Sequence, residues 1–337
     1  MATATIAQSQ SSPLKRVASV RELPIFAVLV VIFGVTAMLE PRFVSADNMR
    51  SIFVSIALLA VLAMGETAVL LTRGVDVSIG SIMGLSGMII GVMFRDHVIE
   101  GIYVGTLLAI AMGAGLGAVN GLLVTLCRIP PIVATLGTMG VYRGLTFVVS
   151  RGKQVDAYQL PTGLSDWSII GPLGQGVVPW VVVVALVVAM LTAMLFRFTR
   201  AGRSIYAVGG NPDAARLRGI AVGRVTFGVY IFSGATAGLA GILYASRLGA
   251  VNPEAIGSGM ELMAIAAVVV GGVSIFGGVG TVSGVVLGCL LLGTIETALA
   301  VLGVADAWQK VAYGGAILLA VVADGIATRR WGGGAEN

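Results

Sequence analysis

The hydrophobic residues of this chain fall into long, nearly unbroken runs that are separated by short polar segments. The run 51–71, for example, begins with a serine and contains a single acidic residue, Glu66. Strands of membrane barrels alternate apolar and polar residues over about ten positions, whereas these runs do not alternate. A backbone surrounded by lipid must satisfy its own hydrogen bonds, so runs of this kind predict membrane-spanning helices.

The pattern predicts an all-α integral membrane protein with about ten transmembrane helices, some of them broken or re-entrant. The third predicted span opens with polar residues and the eighth is dense in glycine. The glycine-rich stretches 105–121 and 271–293 indicate either close helix packing or helix breaks. The predicted spans are 25–39, 51–71, 77–94, 101–126, 131–149, 177–196, 225–245, 259–277, 284–302 and 309–323.

Composition supports the same fold class. The chain of 337 residues is 57% hydrophobic and 11% charged, with a mean hydropathy of +0.99, whereas soluble domains carry roughly 25% charged residues. So little polar sequence cannot cover a water-exposed surface. We therefore expect a single transmembrane domain over 23–326, a disordered cytoplasmic tail over 1–22 and a short cytoplasmic tail over 327–337.

The net charge of +5 comes from basic residues that lie between the apolar runs. This placement is typical of charges that set membrane topology, and both termini are predicted to be cytoplasmic because most of the 21 Lys and Arg residues then lie inside. No basic patch is interleaved with aromatic residues, so nucleic acid is not expected as a partner. A cleaved leader is the alternative for the N-terminus, since Val44-Ser45-Ala46 resembles a cleavage site, but the first apolar run ends well before it.

Ionisable residues inside membrane spans are costly, so they are candidates for function. Asp76 lies in a segment, 73–81, whose glycine and small polar residues interrupt a helix and offer polar groups to a cavity. It either belongs to a translocation path or faces headgroup water at a span end, and Glu66 and Glu296 are as compatible with a buried structural role as with a solute contact. The residues of this kind are Glu66, Asp76, Arg143, Glu261 and Glu296.

A second candidate is a short surface helix in the basic segment 199–224. Asn211 is a good N-cap, Pro212 suits the first helical position and Asp213 suits the positive end of a helix. Gly219 then ends the helix. The alternative is an ordinary inside loop rich in positive charge.

The chain shows no pattern of catalytic or metal-binding residues. It lacks a G-x-x-x-x-G-K-[ST] phosphate loop, and its only Gly-Lys pair, Gly152-Lys153, continues into glutamine. The single histidine, His97, has no partner, and Cys127 and Cys289 have no metal-ligand spacing. No enzymatic activity, cofactor or metal is expected in this chain.

Four sequence blocks, in this order, resemble the permease subunits of ribose-type bacterial ABC sugar importers. This family includes importers of ribose, xylose, arabinose, galactosides, rhamnose and autoinducer 2, and the run 129–144 is most similar to the rhamnose and autoinducer-2 branches. The blocks are LTRGVDVSIGS at 71–81; PIVATLGT at 131–138 with YRG at 142–144; TRAGR at 199–203 with GGN at 209–211 and AARLRGI at 214–220; and MEL at 260–262 with AIAAVVVGG at 264–272.

The resemblance implies a binding-protein-dependent importer in the bacterial inner membrane. Its partners would be a cytoplasmic ABC ATPase, which hydrolyses ATP, a periplasmic sugar-binding protein and a second, identical or related permease subunit. The helix predicted over 209–220 resembles the helix that couples the permease to the ATPase. Its residues would be Gly209, Asn211, Asp213, Ala214, Ala215, Arg216, Leu217 and Gly219.

Polarity at membrane depth makes Glu66, Asp76, Ser78 and Glu296 the candidates for the translocation path. The solute would be a pentose, a deoxyhexose such as rhamnose, or a solute like autoinducer 2. The first alternative function is a secondary transporter driven by an ion gradient, which would use the same acids as ion sites. The second is a membrane scaffold without transport activity.

Overall fold

The computed structural model describes residues 22–305, apart from 173, 176 and 177, together with six separate positions between 307 and 318. The predicted N-terminal tail up to residue 21, the C-terminal tail and most of the tenth predicted span, 309–323, lie outside the described residues. The division of the chain into one domain and two tails therefore stays a prediction.

The described part of the chain is built almost wholly from helices. One minimal hairpin pairs β1 (Ile170–Gly171) with β2 (Gly174–Gln175). Short 3-10 helices form at Pro41–Val44, Ala157–Gln159 and Ser165–Ser168. The α-helices are α1 (Glu22–Leu39), α2 (Ala46–Leu71), α3 (Ile79–Arg95), α4 (Ile102–Thr125), α5 (Pro131–Ser150), α6 (Trp180–Phe198), α7 (Arg200–Gly210), α8 (Pro212–Leu217), α9 (Val222–Leu248), α10 (Met260–Val270) and α11 (Val282–Val301).

Within the described residues, seven helices are long and apolar enough to cross a membrane, namely α1, α2, α4, α5, α6, α9 and α11. Their bounds follow the predicted spans to within a few residues. This confirms the predicted all-α integral membrane fold.

The two remaining apolar helices, α3 with 17 residues and α10 with 11, are shorter than these seven. At 1.5 Å per residue the 11 residues of α10 extend about 16 Å, roughly half of the hydrocarbon core of a bilayer. Residues 72–78 precede α3 without forming a helix, and residues 271–281 follow α10 in the same way. The eighth predicted span, 259–277, is therefore a half-length helix followed by a glycine turn, which confirms the predicted break.

The starts of α3 and α10 meet inside the protein. A Cβ atom at Gly80, on the first turn of α3, would stand 2.5 Å from the carbonyl oxygen of Gly257, just before α10. Only glycine permits such a close approach of two backbones at this point. The contact places the starts of the two short helices side by side, where protein rather than lipid surrounds the backbone that leads into them.

Helix α2 forms the centre of the molecule. Each of its residues from Ile56 to Leu71 is buried, and it packs against α6, α9, α10 and α11. By contrast, α1 buries little of its surface and packs against α11. A helix that is apolar on every side yet fully covered by neighbours is typical of the core of a large membrane bundle.

Helices α4 and α9 pack through facing glycines. A Cβ atom at Gly117 would lie 3.0 Å from the Cα of Gly234, and one at Gly113 would lie 2.8 Å from the Cα of Gly238. Such contacts let two backbones approach closely enough for dispersion forces to hold them together without a hydrophobic driving force. The glycine-rich stretch 105–121 is therefore a packing surface and not a helix break.

We predict that Gly117→Val destabilises the protein because a side chain at this position must push α4 away from α9. The control is Gly115→Val on the exposed face of the same helix, where an added Cβ would meet no atom within 4 Å. Overpacking typically costs about 1–3 kcal/mol, so the melting temperature in detergent should fall for the first variant only. Equal melting temperatures for the two variants would contradict this packing.

Candidate functional site

The carboxylate of Asp76 is the centre of a buried hydrogen-bond cluster. Its Oδ1 accepts bonds from the backbone N–H of Ser78 (3.1 Å) and from the Ser78 hydroxyl (2.6 Å), and its Oδ2 accepts one from the Ser233 hydroxyl (3.1 Å). The Asn120 amide donates to the Ser78 hydroxyl at 2.7 Å and reaches Asp76 Oδ1 at 3.5 Å. All of these side chains have zero solvent exposure.

This cluster fixes the non-helical segment 72–78 between four helices. The backbone N–H of Asp76 donates to Glu66 Oε1 on α2 at 3.1 Å, and the backbone N–H of Val77 donates to Thr135 Oγ1 on α5 at 3.3 Å. Asn120 on α4 and Ser233 on α9 connect the segment to two further helices. Every backbone donor from Asp76 to Ser78 therefore has a side-chain acceptor, which replaces the bonds that a helix would have made.

Several buried polar atoms around the segment have no hydrogen-bond partner among the described residues. They include Glu66 Oε2, Asn120 Oδ1 and the Tyr230 hydroxyl. The Tyr230 hydroxyl lies only 3.0 Å from the place that a Cβ atom at Gly74 would occupy. Buried polar atoms are normally satisfied, so this region holds unused hydrogen-bonding capacity beside two carboxyl groups.

The structure brings together three of the four candidate path residues, Glu66, Asp76 and Ser78, and leaves Glu296 apart. Glu296 lies near the C-terminal end of α11, is partly exposed and makes no hydrogen bond to the described residues. Of the other acids and bases in the spans, Arg143 on α5 donates to the carbonyl oxygen of Ile256 at 2.7 Å. This bond ties α5 to the segment that leads into α10.

Sequence reasoning missed Asn120, Thr135 and Ser233, which supply most of the partners of the Asp76 segment. Asn120 could have been found, because a lone amide in an apolar helix usually bonds to another helix. Thr135 and Ser233 could not, since a single hydroxyl in a span usually bonds to its own helix, as the Oγ of Ser86 does to Ile82.

The predicted surface helix is present as α8. The side chain of Asn211 accepts bonds at 3.0 Å from the backbone N–H groups of Asp213 and Ala214, and Gly219 has the left-handed backbone that a helix end requires (φ 80°). Ala215 is buried, whereas Leu217 is 91% exposed. The helix therefore rests on the protein through Ala215 and presents an exposed apolar side chain.

One residue assigned to this helix from the sequence belongs elsewhere. Gly209 lies in α7, which ends at Gly210, so the single helix predicted over 209–220 is in fact two helices that meet at Asn211. The reason is Asn211 itself, whose extended backbone (φ −155°) interrupts the helical hydrogen bonds while its side chain caps the next helix. Gly209 is buried against Leu71 and Gly278, so it cannot face a partner protein.

The family of the chain follows from its sequence match. Residues 48–322 match the family described as "Branched-chain amino acid transport system / permease component". The chain belongs to this permease family. It is the membrane-spanning permease subunit of an ABC importer.

Curated relatives agree with this assignment over nearly the whole chain. The "Autoinducer 2 import system permease protein LsrC" of Enterobacter sp. (strain 638) is 41% identical, with 90% of this chain and 87% of that protein covered. The proteins of the same name from Yersinia enterocolitica and Photorhabdus laumondii are 38% and 37% identical, with 90% and 93% of this chain and 82% and 91% of theirs covered. No solved structure matches the chain.

We predict that Asp76→Ala lowers the melting temperature of the detergent-solubilised permease sharply. The change removes the acceptor of the Ser78 backbone N–H, the Ser78 hydroxyl and the Ser233 hydroxyl, all of them buried, and each unsatisfied group costs about 1–3 kcal/mol. The control is Glu296→Ala, which removes an acid that has no hydrogen bond to the described residues. An unchanged melting temperature for the Asp76 variant would show that the cluster does not hold the segment.

Proposed function

We propose that this permease, paired with a second permease subunit in the bacterial inner membrane, imports autoinducer 2 or a closely similar sugar-like solute. The observation that carries the proposal is the 41% identity over 90% of the chain to an autoinducer 2 import permease. The family description mentions branched-chain amino acids instead. We give the relatives more weight, because their names are specific and their match extends along nearly the whole chain.

The end of the bundle that carries α7 and α8 is proposed to face the cytoplasm. Basic residues are concentrated there, as the positive-inside rule requires: Arg197, Arg200, Arg203, Arg216, Arg218 and Arg224. The start of α1 lies at the same end, since Glu22 Oε1 accepts bonds from the hydroxyls of Thr281 (2.9 Å) and Ser283 (2.7 Å) at the start of α11. These contacts support a cytoplasmic N-terminus.

The partner ATPase is proposed to dock on α8. The helix is short, capped at both ends and anchored by the buried Ala215, so it can transmit force without bending. Its exposed surface offers Leu217 between charged neighbours, including the Asp213–Arg216 ion pair of 2.8 Å. An apolar knob inside a charged rim is a common form of docking surface.

The solute path is proposed to lie between two permease subunits. Glu66, Asp76 and Ser78 have zero exposure and bond to one another within a single chain, so they do not line an open path in this conformation. Their proposed role is to hold the helix break next to the path. The binding protein would dock on the opposite face, where the segment between α5 and α6 is tied to residue Val251 by the paired backbone bonds of Val155 (3.0 and 2.9 Å).

The secondary transporter driven by an ion gradient, the first alternative from the sequence, is not proposed, because the chain belongs to an ABC permease family. Glu66 Oε2, which is buried beside Asp76 without a hydrogen-bond partner in the described part of the chain, is therefore not assigned an ion.

Uptake of labelled autoinducer 2, ribose and rhamnose tests the proposal directly. The chain is produced with its partner ATPase, second permease and binding protein in cells that lack their own importers. We expect uptake of autoinducer 2 that is lost when the Walker lysine of the ATPase is replaced. Uptake that survives this replacement would contradict ATP-driven import by this complex, while preference for ribose or rhamnose would correct the solute.

We predict that Leu217→Asp and Arg216→Glu reduce co-purification of the ATPase and ATP-dependent uptake while the melting temperature stays unchanged. Both side chains are exposed, and surface ion pairs contribute little to stability. The control is Tyr158→Asp, an equally exposed position on the opposite face (82% exposed), which should retain the ATPase. Normal co-purification of both α8 variants would move the docking site elsewhere.

A further inference from the structure

Three turns of the chain meet beside α8, at the end of the bundle proposed to be cytoplasmic. They are the turn after α2, the end of α7 and the glycine turn 271–281. The backbone N–H of Gly278 donates to the carbonyl oxygen of Leu71 at 3.0 Å, and the Tyr206 hydroxyl on α7 donates to the carbonyl oxygen of Gly280 at 2.9 Å. We refer to this meeting point as the inner junction.

The Arg73 side chain forms the strongest contact of the inner junction. Its Nε donates to the carbonyl oxygen of Gly209 and its Nη2 to that of Gly210, both at 2.6 Å. These carbonyls end α7 and would otherwise have no partner within the helix. A guanidinium that donates two charge-assisted bonds from one rigid plane fixes both the distance and the angle of its partner.

The backbones at the inner junction are closely packed. A Cβ atom at Gly209 would lie 2.5 Å from the backbone nitrogen of Gly278, and one at Gly277 would lie 2.5 Å from the Cγ of Arg73. Arg73 itself has a left-handed backbone (φ 65°), a conformation that non-glycine residues rarely adopt. Such a conformation persists only where its surroundings hold it in place.

Within the described part of the chain, the side-chain bonds of Arg73 are the ones that connect the end of α7 to the turn after α2. On one side, Gly210 is followed directly by Asn211, the cap of α8. On the other side, two residues, Gly74 and Val75, separate Arg73 from Asp76 and the buried cluster. Segment 72–78 is not a helix, so its backbone angles are not tied by the helical hydrogen bonds that hold α2, α4, α5 and α9 around it.

We propose that Arg73 is a positioning residue that transmits movement of α8 to the segment 74–78 and so to the break in front of α3. This inference rests on the proposed function, because α8 moves only if an ATPase docks there. When α8 and the end of α7 shift, the two hydrogen bonds of Arg73 pull on the turn after α2. The side-chain partners of Asp76 then determine the positions between which the segment 74–78 moves. The alternative is that Arg73 only caps α7.

The test compares Arg73→Gly with Arg128→Gly in the complete importer reconstituted in proteoliposomes. Glycine suits both positions, since Arg128 also has a left-handed backbone (φ 54°) in an inside loop, and Arg128 makes no side-chain hydrogen bond to the described residues. For Arg73→Gly we expect at most a small fall in melting temperature, because Arg73 is exposed and water can replace its bonds. ATPase co-purification should be normal, but about tenfold less solute should move per ATP, a typical strength of coupling between two sites. Arg128→Gly should match the wild type.

Arg73→Lys separates geometry from charge. Lysine keeps the positive charge but offers a point donor instead of a planar fork, so the solute moved per ATP should lie between the values of the wild type and Arg73→Gly. Full activity of Arg73→Gly would overturn the proposal. A large fall in melting temperature or loss of the ATPase in that variant would also overturn it, because it would show that Arg73 only caps α7.

A second measurement needs no solute and distinguishes failure of the proposed function from failure of the proposed role of Arg73. Hydrogen exchange of the backbone amides of residues 76–78 is followed with the ATPase bound, with and without trapping by ADP and vanadate. We expect trapping to change exchange in the wild type and not in Arg73→Gly. The same change of exchange in the wild type and in Arg73→Gly would refute only the proposed role of Arg73. A wild-type chain that binds no ATPase would refute the proposed function, and this inference with it.

Discussion

The architecture depends on the hydrogen bonds that satisfy a non-helical backbone in the interior of a membrane protein. Asp76 and Ser78 have zero exposure, so their backbone groups cannot bond to water, and each unpaired backbone group would cost several kcal/mol. Glu66, Asp76 and Thr135 accept the three backbone donors of residues 76–78. Once the segment is fixed in this way, α3 starts deep in the bundle, and the close contact of Gly80 with Gly257 places α10 beside it.

Polar bonds and glycine packing have different parts in this arrangement. Between α4 and α9 the glycines let two full-length helices approach as a rigid pair, and the same two helices supply Asn120 and Ser233 to the buried cluster. Close packing therefore sets the positions from which the amide and the hydroxyl reach the segment. A wider spacing of α4 and α9 would weaken the bonds to Asp76 even with every polar residue in place.

The sequence was sufficient for the helical class, for most span bounds and for α8, because hydropathy and capping depend on neighbouring residues. It was insufficient where the structure depends on contacts between residues that are far apart in the sequence. Ser233 bonds to Asp76 across 157 positions, and no periodicity encodes that pairing. Gly209 was placed in the wrong helix because the sequence pattern around Asn211 does not show on which side of it a glycine belongs. Glu296 lies apart from Glu66 and Asp76, although all three are acidic residues in predicted spans.

The two helix breaks are used differently, and the difference follows from their side chains. The break before α3 is lined with carboxyl, amide and hydroxyl groups that can exchange partners, whereas the turn after α10 relies on glycines with left-handed backbones, Gly272, Gly277 and Gly278. A glycine turn that is packed against Leu71 and Gly209 serves as a fixed support. Movement at the inner junction is then directed toward the polar break, since that segment lies beside unused hydrogen-bonding atoms of the described residues, among them Glu66 Oε2, Asn120 Oδ1 and the Tyr230 hydroxyl.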